Sequence, residues 1–124
     1  MSTRRSSDLS QSGEDAPIVR VALDYFEGWF DGDPVRMERA LHKNLVKRRA
    51  GIELGVTTKE WMLELTRNGE GKEDGVDRTL DIEVEDVYGD IASVTVSSAV
   101  YHEYVQLVRT RDGWKIANAL WQPT

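Results

Sequence analysis

The stretch that decides the fold is Gly113-Trp114-Lys115-Ile116-Ala117-Asn118-Ala119-Leu120-Trp121, entered through an Arg111-Asp112-Gly113 turn. Its alternation predicts a strand with Trp114, Ile116, Asn118 and Leu120 on one face of a sheet. A lone amide in an apolar row must find internal partners or face a cavity where ligand or water satisfies it. The row therefore predicts a hollow into which Asn118 projects. The opposite face carries Lys115, Ala117, Ala119 and Trp121. Small residues and an indole make a poor solvent face and a good packing surface. Together with Ser93, Thr95 and Ser97 of a neighbouring strand, Ala117, Ala119 and Trp121 predict a sheet-to-sheet homodimer interface.

Upstream, the chain reads as an antiparallel meander. Thr79 to Tyr88 alternates Leu80, Ile82 and Val84 against Asp81, Glu83 and Glu85, which read as a solvated face. Gly89-Asp90 predicts a tight turn. Ile91 to Val100 turns Ala92, Val94 and Val96 to one side. Tyr101 to Thr110 sets Val105 and Leu107 opposite Tyr104, Gln106 and Val108, with a bend near His102 able to reset the phase.

The first half reads as helical. Residues 1–14 are Ser-rich and without periodicity, and are expected to form a disordered tail ahead of one domain over residues 15–124. Asp15 predicts an N-cap with Pro17 in the first turn. The stripe Ile18, Ala22, Tyr25, Phe26 and Trp29 then runs to Asp31-Gly32, a left-handed stop. Asp33-Pro34 restarts a helix with Met37, Ala40 and Leu41 inward, ending near His42-Lys43-Asn44. A strand over Leu45 to Arg49 follows, broken at Gly51 and able to continue through Ile52-Glu53-Leu54. Thr57 with Glu60 predicts a capping box opening a helix with Trp61, Leu65 and Met62 inward. The glycine-rich, charged run from Asn68 to Asp77 is expected to be mobile. Helices first and a meander last predict an α+β fold, with helices on one face of a curved sheet.

Two N-terminal helices joined through Trp29-Phe30-Asp31-Gly32-Asp33-Pro34, a short strand, a small helix and a meander ending Asp112-Gly113-Trp114-Lys115-Ile116 resemble the nuclear transport factor 2-like (NTF2-like) superfamily. That group includes the ketosteroid isomerases and polyketide cyclases. The segments from Ala40 to Arg48 and from Leu107 to Trp121 resemble its "putative lumazine-binding" branch. The resemblance implies a cone-shaped, cystatin-like α+β half-barrel, mixed but largely antiparallel, wrapped around the N-terminal helices. It also implies a pocket between helices and concave sheet, and a homodimer. Fold does not fix activity here, because such a scaffold hosts enzymes, binding modules and dimerisation domains alike.

In the isomerase relatives a first-helix tyrosine helps make the oxyanion hole, seven residues before the helix-ending glycine. Tyr25 stands in that relation to Gly32. In ketosteroid isomerase a tyrosine and a protonated aspartic acid polarise the carbonyl while a second aspartate acts as base. The other reading of Tyr25 is a core aromatic with its hydroxyl at the pocket edge. By ungapped counting from Gly32, the isomerase base falls at Arg49. Arginine stays cationic and abstracts no proton, which argues against isomerase chemistry by that route.

The basic run Lys47-Arg48-Arg49 puts residues 47 and 49 on one strand face and 48 on the other. Arg49 either reaches into the cone to pair with a ligand carboxylate or phosphate, or keeps an edge strand soluble. His42 and His102 are the candidate proton shuttles. His42 also suits a helix C-terminus, and His102 works with Glu103 only if a bend brings them together. Asn118, Gln106 and Tyr104 are candidate ligand contacts, unless they satisfy one another. Trp29 and Trp61 complete the expected lining.

Other classes fit poorly. The chain has no cysteine and a formal net charge of −6, which exclude disulfides and disfavour nucleic acid as partner. No metal-ligand spacing, phosphate loop or dinucleotide fingerprint occurs, so no cofactor is expected. No apolar run long enough to span a membrane occurs, nor does a secretory signal, and a cytoplasmic setting is expected. The expected function is a homodimeric small-molecule-binding domain. The alternative is a cyclase, dehydratase or isomerase acting on a carbonyl or aromatic metabolite through Tyr25 and a histidine.

Overall fold

The computed structural model describes residues 4–5, 13, 15–51 and 53–124. The tail expected over residues 1–14 lies outside the described residues, apart from 4–5 and 13. Of these, Arg4–Arg5 form a two-residue strand, β1, against the sheet edge. The elements that follow are α1 (Ala16–Asp31), α2 (Pro34–Ala40), β2 (Leu41–Arg49), β3 (Gly55–Thr57), α3 (Lys59–Arg67), β4 (Asp81–Tyr88), β5 (Ile91–Ser97), β6 (Tyr101–Thr110) and β7 (Gly113–Pro123).

The strands form one curved sheet in the order β1-β4-β5-β6-β7-β2-β3, antiparallel throughout except for β2 beside β7. This is the expected α+β half-barrel. Its concave face packs on the helices through Ile18, Ala22, Phe26 and Met37 from the helical side. Ile82, Val94, Val96, Val105, Leu107 and Ile116 meet them from the sheet.

Local chemistry explains most boundaries. Gly32 ends α1 at φ 65°, a conformation that costs glycine nothing for want of a Cβ. The Asp33 carboxylate accepts from the Val35 and Arg36 amides, and Pro34 needs no donor there. Asp15 flanks α1 without a side-chain cap; its carbonyl accepts from Val19 N at 2.9 Å.

Four expectations are corrected. The second helix stops at Ala40, and Leu41 already pairs with Ile116 as the first residue of β2, because a buried parallel ladder outweighs a further turn of helix. The chain after Gly51 does not continue β2; Gly55–Thr57 returns antiparallel to it, while Ile52 lies outside the described residues. The cap of α3 is Thr58, whose hydroxyl accepts from Trp61 N, in place of Thr57. Met62 and Thr66 then face the core and Trp61 is 54% exposed. Buried Thr66 donates to the Met62 carbonyl at 2.7 Å, so a polar residue fills a core position at little cost.

The largest correction concerns β7. Leu107 pairs with Ile116, but Gln106 pairs with Asn118, so Ala117 is an extra residue opposite one β6 step. Such a bulge reverses the side-chain phase beyond it. Trp114 and Ile116 face the core as expected. Past the bulge Ala119 is buried and Leu120 is 44% exposed.

Candidate functional site

The cavity lies between α1, α3 and the inner face of β2, β6 and β7. Tyr25, Phe26, Trp29, Met62, Leu65, Tyr101 and Trp121 supply most of its lining, and Lys47 and Glu103 supply its charge. Its volume is about 100 Å³. An engineered cavity of about 150 Å³ accepts benzene, so this space suits a single ring at most without widening.

The register explains how the charges meet. Glu103 pairs with Trp121 and Val105 with Ala119 on one side of β7; Arg49 pairs with Trp121 and Lys47 with Ala119 on the other. All six belong to the inner side of the sheet, and Lys47 reaches diagonally across small Ala119 toward Glu103. Their ion pair spans 3.8 Å, with the Glu103 side chain 2% and the Lys47 side chain 12% exposed. From α1, the Tyr25 hydroxyl donates to Glu103 Oε2 at 2.6 Å and accepts from Lys47 Nζ. Lys47 also lies 5.0 Å from the centre of the Tyr25 ring and 5.2 Å from that of Trp121.

Burial governs the protonation of all three groups. Desolvation pushes the Glu103 carboxyl up, although the Lys47 charge and the Tyr25 hydrogen bond oppose it. Desolvation draws the Lys47 ammonium down against the pull of Glu103. The Tyr25 phenol rises well above its usual value, first through burial and then through the Glu103 charge. Each shift favours the uncharged form. The cluster can therefore hold either a charge-separated pair or neutral partners joined through the phenol.

The aromatic residues of the cavity wall brace one another. Trp29 Nε1 donates to the Tyr101 hydroxyl at 2.9 Å, and Tyr101 packs edge-on against Trp121 at 5.5 Å. Gly71 presses its backbone on Trp29: a Cβ there would lie 2.5 Å from the indole nitrogen. The Asn68–Asp77 run thus contacts the wall at this residue.

Of the sequence candidates, Tyr25 and Trp29 line the cavity. Arg49 stands on the inner register but is exposed, its guanidinium 5.2 Å from the Trp121 ring centre. Trp61 is exposed on α3 and contributes nothing to the lining. Tyr104, Gln106 and Asn118 occupy the convex face. There the Asn118 amide donates to Gln106 Oε1 at 3.1 Å in an exposed pair. The amides satisfy one another, outside the hollow they were expected to enter.

Neither histidine reaches the cavity. His42 lies in β2, not at a helix end, and its Nδ1 accepts from Asn44 N. His102 sits opposite Ser97 on the convex face, 3.1 Å from its hydroxyl. Adjacent strand residues point oppositely, so His102 faces out because Glu103 faces in. The expected Tyr25–histidine shuttle is therefore not assembled.

The expected dimer face is likewise revised. Ala119 is buried in the core and Trp121 lines the cavity, leaving only Ala117 of that trio on the outer side. The convex rows are Ser93-Gln106-Asn118, Thr95-Tyr104-Leu120 and Ser97-His102-Gln122.

Sequence reasoning missed Glu103 and the inward role of Lys47. Unbroken alternation from Leu107 through Val105 places Glu103 inward; allowing a bend at His102 concealed it. Among the described residues, no group of three or more His, Cys, Asp or Glu could hold a metal ion. Among the same residues, no helix is long and apolar enough to cross a membrane.

The fold and site define an NTF2-like α+β domain with a charged cluster at the wall of an aromatic cavity. The chain belongs to the family described as "Putative lumazine-binding", which matches residues 13–122. No curated protein matches it. Among solved structures it is similar to an NTF2-like protein of unknown function from Silicibacter pomeroyi, at 14% identity and TM-score 0.73, over 90% of this chain and 96% of that one. A ketosteroid isomerase-like protein from Erwinia carotovora atroseptica matches at 18% identity and TM-score 0.64, over 91% and 98% of the two chains. An NTF2-like protein of unknown function in nutrient uptake from Rhodospirillum rubrum matches at 20% identity and TM-score 0.67, over 86% and 98%. At such identities the likeness concerns the fold.

Proposed function

We propose that this protein binds a small carbonyl-bearing or aromatic metabolite in the cavity beside Lys47. The observation that carries this reading is the placement of Tyr25, Lys47 and Glu103 against an aromatic-walled cavity. A buried cluster of this kind is costly, and functional sites are where such clusters concentrate. Tyr25 and Glu103 occupy one hydrogen bond and one ion-pair direction of Lys47. An ammonium has three N–H bonds, so one remains for a ligand carbonyl.

The size of the space favours a single ring or smaller. A fused bicycle such as lumazine requires Trp29 or Trp121 to move aside. Self-association through the convex rows around Tyr104 and Leu120 belongs to the same reading, supported by their exposure as large apolar groups on a sheet face. So does the cytoplasmic setting expected from a chain without cysteine.

A thermal-shift screen with small carbonyl compounds, single-ring aromatics and lumazine tests the reading. A ligand at a hundred times its Kd stabilises the native state by about 2.7 kcal/mol. Stabilisation by a compound of ring size or smaller, lost in Leu65→Trp, is the expected result. Silence across the set, or a shift that survives Leu65→Trp, would refute binding at this cavity.

A further inference from the structure

We propose that Lys47 is an amine nucleophile that captures a small aldehyde or ketone as an imine inside the cavity. This rests on the reading of the cavity as a ligand site and adds a covalent step to it. Three observations lead there. Lys47 Nζ stands at the wall of a largely apolar cavity, with 12% of its side chain still accessible. A carboxyl lies 3.8 Å away. One phenol contacts both, donating to Glu103 and accepting from Lys47.

An ammonium cannot attack a carbonyl, so the proton must first leave Lys47. The phenol supplies the route: Lys47 passes a proton to the Tyr25 oxygen as Tyr25 passes its own to Glu103. The result is a free amine, an intact phenol and a carboxylic acid. Desolvation of a lysine in an apolar pocket is the general means of holding such an amine free. The shifts at Lys47 and Glu103 run in that direction. The other polar groups nearby are the Thr57 hydroxyl, on the β3 residue paired with Lys47, the Tyr101 hydroxyl and the Arg49 guanidinium. Tyr101 accepts from Trp29, and Arg49 rests over Trp121 at the rim.

The chemistry then balances. The Lys47 nitrogen lone pair forms a C–N bond as the carbonyl π bond opens, giving a carbinolamine after one proton moves from nitrogen to oxygen. Glu103 protonates the carbinolamine hydroxyl, the C–O bond breaks and water leaves. The products are a protonated imine on Lys47, a Glu103 carboxylate and water. The cationic imine thus inherits the counter-ion that the ammonium had. The buried site carries no net charge before or after, which spares it the cost of an unpaired ion.

Five lysines in the chain provide an internal standard. The intact protein would be treated with butanal and sodium cyanoborohydride at neutral pH, and alkylation at each lysine followed by peptide mass mapping. Alkylation of Lys47 about tenfold faster than of Lys43, Lys59, Lys72 or Lys115 is the expected result. Tyr25→Phe, which breaks the relay but keeps the ring, should slow Lys47 alone. A parallel titration with 1-butanol, which fits like butanal but forms no imine, would follow the Trp29 indole N–H resonance. If butanol shifts that resonance while Lys47 reacts no faster than surface lysines, the covalent step is overturned and the binding site stands. If butanol shifts nothing and Lys47 is unreactive, both fall.

Discussion

The two halves of β7, on either side of Ala117, obey opposite rules. Before it, Trp114 and Ile116 point into the core in step with the sequence alternation. After it, Ala119 and Trp121 point in, while Asn118 and Leu120 point out. The residue types give no warning: a run with Asn118 and Leu120 inward looks as plausible as one with two alanines inward. The comparison teaches that periodicity identifies a strand and its faces, but one extra residue decides which face meets the core downstream. The function rides on that residue. Without the bulge, an amide would enter the hollow; with it, Trp121 and the Lys47–Glu103 pair do.

Truncating Ile116 before the bulge and Leu120 beyond it attacks the difference directly and should have the largest effect. Ile116 is fully buried and Leu120 is 44% exposed, so Ile116→Ala should cost about 2–5 kcal/mol by urea unfolding and Leu120→Ala well under that. Equal losses in the two variants would show that the bulge does not set the phase.

Glu103→Ala comes next. It strands Lys47 beside an apolar wall, and breaking a buried pair costs about 3–5 kcal/mol. Partial access of Lys47 to solvent puts the expected loss at the lower end. Gly71→Ala should follow, because the added methyl would collide with Trp29. Overpacking costs about 1–3 kcal/mol, and the same variant should weaken ligand binding by displacing the cavity wall. Unchanged stability there would separate the Asn68–Asp77 run from the site.

A pH series sharpens the comparison further. The Glu103 carboxyl is raised above its ordinary 4.5 in the folded protein. It holds its proton more tightly folded than unfolded, so its contribution is complete below 4.5 and is lost as pH climbs through the folded value. Glu103→Gln keeps the shape and removes this titration. The stability of the parent relative to Glu103→Gln is therefore expected to fall as pH rises from 4.5. A gain over that interval would show a carboxylate stabilised by its surroundings. The smallest effect belongs to the convex face: Asn118→Ala removes one exposed amide pair and should change stability by no more than about 0.5 kcal/mol, with ligand binding unaltered. Loss of binding in that variant would return the amide to the site.

Much of the fold was legible because local rules write it locally. Asp33-Pro34, Gly32 and the Ile82–Val84 and Val94–Val96 alternations each carry their own steric or capping reason. The site was less so. Tyr25 and Trp29 could be placed because they lie on a long amphipathic helix whose inner stripe is unambiguous. Trp61 could not, because α3 buries Thr66, a residue whose hydroxyl satisfies itself on the preceding turn. Glu103 was hidden by the habit of charged residues to face water, which a partner on another strand overrode.

The sequence alone determined an α+β chain, the order of its elements, and a tyrosine-bearing helix laid against a meander, since propensity, capping and period act over a few residues. Only the tertiary structure decided that Lys47 of β2, Tyr25 of α1 and Glu103 of β6 share one aromatic-walled cavity. Their meeting depends on strand register across β7, and register is fixed by the packing of the whole sheet on its helices.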